Sequence, residues 1–599
     1  MGRTVTFTPG RFLRKIWQLG NFDVSPDGRS FAYAANKREQ WSVYLMDLRT
    51  KRERILVKSE QSVVNPEFSP DGRSLAVQSD FEGDENYNVY VVSVKGTGVR
   101  KITDTRFDSS FPRWSPDGTK IAFVSNRDGD RDNVFAVDAA GGDAKQLTDV
   151  DDIVTEIAWR PDGRSLAFSA GVGLHDYVGI VDITGRMEKL VAFPESESSI
   201  GGDVGRPRPW SPDGRELAFV SNVHDHLDIG VLDLETRAVR WLVENRWDKT
   251  MPVWSLDGRR IAFLENHDGN IRLKSVSRGG PESVAESPAS GSAFRPLWSP
   301  DGGTLFYLQS NFLRPERFVA RRGPRTTRLI ESVRTALPAR ELADGKLVWY
   351  PTLDARKIPA WLFVPPARRS RHAALVWPHG GPESQTVNEW YIRPQLLVAQ
   401  GFTVLAPNYR GGTGYGRAWR RLSDHDLGGA DMQDIIAGGR WLVENGYCRP
   451  DRLGIIGGSY GGYAVAHCLE QAPELWSVGV SIVGYFNWTT ATTNERGYLQ
   501  RYDRQKMGHP DEDADLFRKL SPIFYLDRIR APVLFTGGAH DPRCPVTEAR
   551  AMVEAMKRMR KVVDYLEFPD EGHAPRKVSN QIVLYERVID WLTRYLPDA

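Results

Sequence analysis

Cysteine is scarce in this chain: there are three in 599 residues, at Cys448, Cys468 and Cys544. Their number and scatter exclude a disulfide framework and point to a reducing, cytoplasmic setting. Net charge is nearly absent as well. The 79 Lys and Arg offset 77 Asp and Glu to leave +2, which argues against a nucleic-acid partner held by bulk charge. Long apolar runs are missing. None approaches the roughly 18 residues that a bilayer-crossing helix needs. Residues 1–20 carry Arg3, Arg11, Arg14 and Lys15 without a signal-peptide core, so no membrane partner is expected. No Cys/His cluster has metal-ligand spacing, and His224-Asp225-His226 reads as a polar loop.

Repetition is abundant in the first half. The turn Ser-Pro-Asp-Gly, or a close variant, occurs seven times, with its aspartate at 27, 71, 117, 162, 213, 257 and 301. The intervals are 44, 46, 45, 51, 44 and 44 residues. Tryptophan precedes the turn in five copies: Trp114, Trp159, Trp210, Trp254 and Trp298. A strand-like run follows each turn. Proline presets φ at the first central position, Asp closes the turn locally and Gly tolerates the exit geometry. A period of about 45 residues built of short strands is that of a propeller blade. The spacing predicts a seven-bladed β-propeller over residues 21–335, followed by an α/β-hydrolase domain over residues 336–599. Residues 1–20 form an N-terminal segment. Its stretch 10–19 reads as a short amphipathic helix suited to packing on the hydrolase.

The second half carries the chemistry. At residues 453–462 an apolar run enters Gly-Gly-Ser-Tyr-Gly-Gly, and a helix-like segment follows. That is the pattern of a nucleophile elbow, a serine on a sharp strand-to-helix turn with glycines where side chains would collide. Ser459 is the candidate nucleophile. Asp541 follows a second apolar run, 531–535, and His573 follows a third, 562–568. The order Ser, Asp, His, with spacings of 82 and 32 residues, leaves room for helices and strands of a parallel sheet between members. His573 would take the Ser459 proton, and Asp541 would fix the imidazole tautomer. The Tyr460 N–H and an early glycine loop, His379-Gly380-Gly381-Pro382, are candidate oxyanion donors. Tyr485, Phe486 and Trp488 read equally as an apolar pocket or as core.

Together these motifs, with Asn408-Tyr409-Arg410-Gly411, Asp541-Pro542-Arg543 and Gly572-His573, resemble the prolyl oligopeptidase family of serine peptidases, most of all its acylaminoacyl-peptidase branch. The resemblance spans essentially the whole chain. It implies Ser459, Asp541 and His573 as the triad and the Tyr460 and Gly381 N–H groups as the oxyanion hole. It implies that Arg543 binds a substrate carbonyl, against the alternative of a domain-interface salt bridge. It also implies cleavage of short peptides with no metal or organic cofactor. His379 stands where other branches carry a tyrosine, which leaves the hole to backbone donors.

Three alternatives stay open from sequence. The same triad serves an esterase or amidase acting on small non-peptide compounds. The dipeptidyl-peptidase branch anchors a free amine with paired glutamates; no adjacent Glu pair occurs in the propeller half, but a pair drawn from separate blades has no sequence signature. A non-catalytic interaction protein is the third, and the intact triad opposes it. A homo-oligomer that controls substrate access is also open.

Overall fold

The computed structural model describes residues 8–598 apart from 128, 130, 172–175, 203–206, 281, 336 and 338. Residues 1–7 of the N-terminal segment therefore lie outside the described residues. Among the described residues, seven separate four-stranded antiparallel sheets succeed one another, from a first blade opening with Leu19–Val24 to a last closing with Arg325–Glu331. This is the seven-bladed propeller that the repeat predicts.

The repeated turn joins the first and second strands of each blade. In the third blade Ser115 Oγ donates to Asp117 Oδ1 at 2.6 Å, Thr119 N donates to the same oxygen at 3.0 Å, and Lys120 N donates to Ser115 Oγ at 2.9 Å. The turn thus satisfies its own polar groups, with Gly118 at φ 74°. The preceding tryptophans have a different task. The indole N–H of Trp114 donates to Glu67 O at 3.2 Å, that of Trp159 to Arg113 O at 3.0 Å and that of Trp210 to Ala158 O at 3.0 Å. Each stitches a blade to its predecessor. The first and seventh blades share no strand. Phe318 closes the ring between them, its centroid 5.0 Å from both Phe22 and Phe31. Arg208 of the fifth blade also reaches Asp23 of the first at 3.0 Å.

The second half is built on one eight-stranded sheet. Its strands are β1 (Lys346–Pro351), β2 (Lys357–Phe363), β3 (Ala374–Val376), β4 (Thr403–Pro407), β5 (Leu453–Gly458), β6 (Val478–Ile482), β7 (Val533–Gly538) and β8 (Val563–Phe568). The spatial order is β1-β2-β4-β3-β5-β6-β7-β8. β1 and β2 are antiparallel to their neighbours, and the pairs from β4 to β8 are parallel. Parallel strands buried on both faces read as continuous apolar runs, as Leu453, Ile455 and Ile456 do. The short helix Pro9–Leu13, capped by Thr8, buries Phe12 against Leu342, Leu396 and Ala399 of this half.

Candidate active site

Ser459 follows β5 directly and caps the helix Tyr460–Gln471. Its backbone sits at φ 57°, ψ −126°, a strained conformation for a residue with a side chain. The flanking glycines make that strain tenable. A Cβ on Gly457 would lie 2.1 Å from Gly461 O, and one on Gly461 would lie 2.5 Å from Pro378 O. Strand and helix therefore approach as closely as backbone allows. Ser459 N donates to Ile482 O at 2.9 Å, which ties the elbow to β6.

The loops after β7 and β8 bring Asp541 and His573 together. His573 Nδ1 is 2.9 Å from both Asp541 oxygens. A carboxylate only accepts, so Nδ1 is the donor in this contact. Asp541 is buried and accepts from the N–H groups of Arg543 and Cys544, each at 2.9 Å. Ser459 and His573 line one cavity of about 390 Å³ together with His379, Gly380 and Ser384. Cys544 Sγ lies 4.0 Å from Ser459 Oγ.

The glycine loop lies against the serine. A Cβ on Gly380 would meet Ser459 Cβ at 3.2 Å, and Gly381 adopts φ 130°, where a side chain would strike Glu383 N at 2.7 Å. The Asn-Tyr-Arg-Gly motif holds this loop from behind. Asn408 Oδ1 accepts from Thr386 N at 2.8 Å, and Tyr409 Oη donates to His379 O at 2.8 Å. Burial pushes the His379 imidazole down to about 4. Its neutral ring stacks on Tyr409 at 4.2 Å and donates Nδ1–H to Gly380 O at 2.7 Å. Tyr460 opens its helix, so its N–H has no intrahelical acceptor. Its hydroxyl donates to Asp431 Oδ2 at 2.5 Å, and burial pushes that carboxyl up to about 7.

Arg543 meets the propeller. Its Nε donates to Glu85 Oε2 at 2.9 Å. Both residues line a cavity of about 640 Å³ at the propeller mouth, with Asp108, Asp132, Arg496 and Tyr498. Burial pushes Asp108 up to about 7 and Asp132 to about 6, although Arg496 opposes it in both. Burial raises Glu85 too, but the guanidiniums of Arg543, Arg496 and Arg576 outweigh it and leave that carboxyl below its ordinary range. Sequence reasoning did not reach Glu85, Asp108 or Asp132. The one signal was the acid-rich, glycine-bearing stretch 80–85, which lies outside any blade turn. Of the open trio 485–488, Phe486 and Trp488 are fully buried in the core, and Tyr485 stacks on Tyr463 at 5.2 Å. His467 is also internal, on Gly428 O at 2.8 Å. His224 comes near Asp228 and Glu244, but Asp228 already holds Lys249 at 2.6 Å.

Among the described residues no helix is long and apolar enough to cross a membrane. Residues 389–599 match the prolyl oligopeptidase family, and residues 21–200 match the TolB β-propeller domain. The chain is 34% identical over 207 residues to dipeptidyl aminopeptidase BIII of Pseudoxanthomonas mexicana, covering 34% of this chain and 30% of that protein. It is 28% identical over 261 residues to the acylamino-acid-releasing enzyme of Rattus norvegicus, covering 42% and 35%. The match thus spans about a third of the length of these curated relatives. A puromycin-hydrolyzing peptidase of Mycobacterium tuberculosis superposes with a TM-score of 0.86 over 99% of this chain and 97% of that one, at 19% identity. At that identity the likeness establishes a common fold. With a serine elbow and an Asp–His pair brought together inside the matched segment, residues 389–599 are a prolyl oligopeptidase family domain, carried behind a β-propeller.

Proposed function

We propose that this protein is a serine peptidase that cleaves short peptides through an acyl-enzyme, as an acylaminoacyl-peptidase or a related oligopeptidase. The observation that carries the reading is the Asp541–His573 contact beside a serine held at positive φ. His573 Nε2 takes the Ser459 proton as Oγ attacks the scissile carbonyl, and returns it to the leaving amine. Asp541 stabilises the imidazolium. The Tyr460 and Gly381 N–H groups receive the developing oxyanion, a donation worth on the order of 100- to 1000-fold in rate per group. Water then cleaves the ester by the same proton route in reverse. Arg543 holds a substrate carbonyl while Glu85 takes its Nε edge. This chemistry runs on side chains and backbone donors and calls for no cofactor. Three unpaired, buried cysteines support a cytoplasmic setting.

The state of Glu85 favours a neutral, acylated N-terminus in this part of the site. Its carboxylate is already committed to three guanidiniums. One observation favours a second reading, a dipeptidyl-peptidase. Asp108 and Asp132 line the same cavity, and a substrate ammonium would restore the charge that burial suppresses in them. Matched chromogenic substrates, N-acetylated and free-amine, assayed with wild type and Ser459→Ala, decide the matter. Preference for the acetylated form, lost in the mutant, is the expected result. Preference for the free amine establishes the second reading, and activity surviving in Ser459→Ala sinks both.

A further inference from the structure

One loop of the propeller grips both loops that carry the Asp541–His573 pair. Residues 80–87 join the second and third strands of the second blade. At their centre Gly83 lies backbone to backbone on Gly572, the neighbour of His573. A Cβ on Gly83 would fall 2.7 Å from Gly572 N, and one on Gly572 would fall 1.9 Å from Gly83 O. Gly538, at the end of β7, continues the stack: a Cβ there would lie 2.0 Å from Gly572 O. Three chain segments are thus pressed together where only glycine fits.

Ion pairs extend the grip on both sides. Toward the Asp541 loop, Glu82 Oε2 lies 3.0 Å from His540 Nε2, and Glu85 Oε2 accepts from Arg543 Nε at 2.9 Å. Arg496 adds donations to Glu85 O at 2.8 Å and Asn86 Oδ1 at 2.6 Å. Toward the His573 loop, Asp80 Oδ2 accepts from Arg576 Nη1 at 2.7 Å. Asp80 and Glu85 are both buried, so these contacts are screened little by solvent. The loop holds an unusual backbone to make them, with Glu82 at φ 50°, Gly83 at 83° and Glu85 at 57°. Left-handed backbone is unfavourable at a non-glycine residue.

We propose that residues 80–87 are a positioning element of the catalytic site: by fixing the 540–543 and 572–576 segments against one propeller loop, they set the aim of His573 at Ser459. The proposal rests on the triad reading above. Misplacing a catalytic group by about 1 Å can cost on the order of 100-fold, so the grip matters even where it touches no substrate.

The test uses the full-length chain and p-nitrophenyl acetate, an ester too small to span from Ser459 to the propeller. Gly83→Val drives a side chain into Gly572, and Glu85→Gln removes the charge that organises the arginines. Gly279→Ala, in an open turn of the sixth blade with nothing within 4 Å of its Cβ, is the control. The expected result is a fall of about 10- to 100-fold in kcat for the ester in both variants. It comes with a displaced pH profile in both, peptide KM within about twofold in Gly83→Val, partial recovery of the ester kcat in Glu85→Asp and wild-type behaviour in Gly279→Ala. Should Gly83→Val fail to fold, Glu85→Gln and Glu85→Asp carry the test. Wild-type ester kinetics with only the peptide KM raised would overturn the proposal and make the loop a substrate wall. Ser459→Ala is run in parallel. Ester hydrolysis surviving there refutes the triad itself, whereas hydrolysis lost there yet intact in the loop variants refutes only the positioning role.

Discussion

The two faces of the propeller are made to different rules. On the face away from the hydrolase, seven turns of one design stand in a ring, each against its neighbour: the glycine of the second blade's turn faces Pro26, and that of the third faces Pro70. On the face toward the hydrolase the loops differ widely in length. The loops between second and third strands span residues 36–41, 80–87 and 126–132 in the first three blades, but only 225, 268–269 and 312–313 in the last three. The long loops supply Glu85 and Asp132, and Glu82 and Asp80 beside them, to the catalytic half. Uniformity builds the ring; departure from it builds the site.

That contrast is open to direct attack. The largest effect should come from the catalytic side. Asp541→Asn keeps the shape of the pair but disturbs the tautomer, and kcat should fall by about 10⁴-fold in a steady-state assay, with the melting temperature little changed. A smaller effect separates the faces by pH. His379 is held at about 4 when folded against 6.5 when unfolded. Between those values the unfolded chain binds a proton that the folded chain refuses, so stability falls as pH drops from 6.5 toward 4, by about 3 kcal/mol for this group. His379→Gln should flatten that part of the curve in denaturant titrations; an unchanged curve would place the sensitivity elsewhere. The ring turns respond lower down. Their aspartates, such as Asp27, Asp71 and Asp117, are held below 3.8 chiefly by the serine hydroxyls beside them. Their contribution is therefore present above 3.8 and lost as pH falls through the lower folded value. The smallest effect is there. Asp117→Ala should cost about 1 kcal/mol or less in unfolding free energy and leave kcat/KM at the wild-type value. A clear loss of activity would show that the two faces are not independent.

The sequence is a good guide to one face and a poor one to the other for a physical reason. A Ser-Pro-Asp-Gly turn satisfies itself within six residues, so its chemistry is written where it acts. The elbow around Ser459 and the strand-end positions of Asp541 and His573 are local in the same sense, since each needs only the strand before it. The Glu85–Arg543 contact joins residues 458 positions apart, and neither flanking sequence names the other. Asp108 and Asp132 look like ordinary loop acids until the ring brings them to one mouth. The burial of Phe486 and Trp488 was undecidable for a related reason: pocket and core demand the same residue types, and only the packing around them tells the two apart.

The chain itself joins the propeller to the hydrolase in one place. The chain enters it at Leu19 and leaves it at Glu331, and just outside those points Ile16 bridges Val333 while Trp17 N donates to Ser332 O at 3.0 Å. Were its non-covalent contacts to part, a disc held by adjacent points on its rim would pivot like a lid on a single hinge. Displacement then grows with distance from the first and seventh blades. The second blade, next to the pivot, would travel little, so its hold on the His573 loop would outlast a tilt that lifts the far rim, where Glu197 of the fifth blade meets Arg420. Leverage would then put the wider gap on one side of the molecule and the support of the His573 loop on the other.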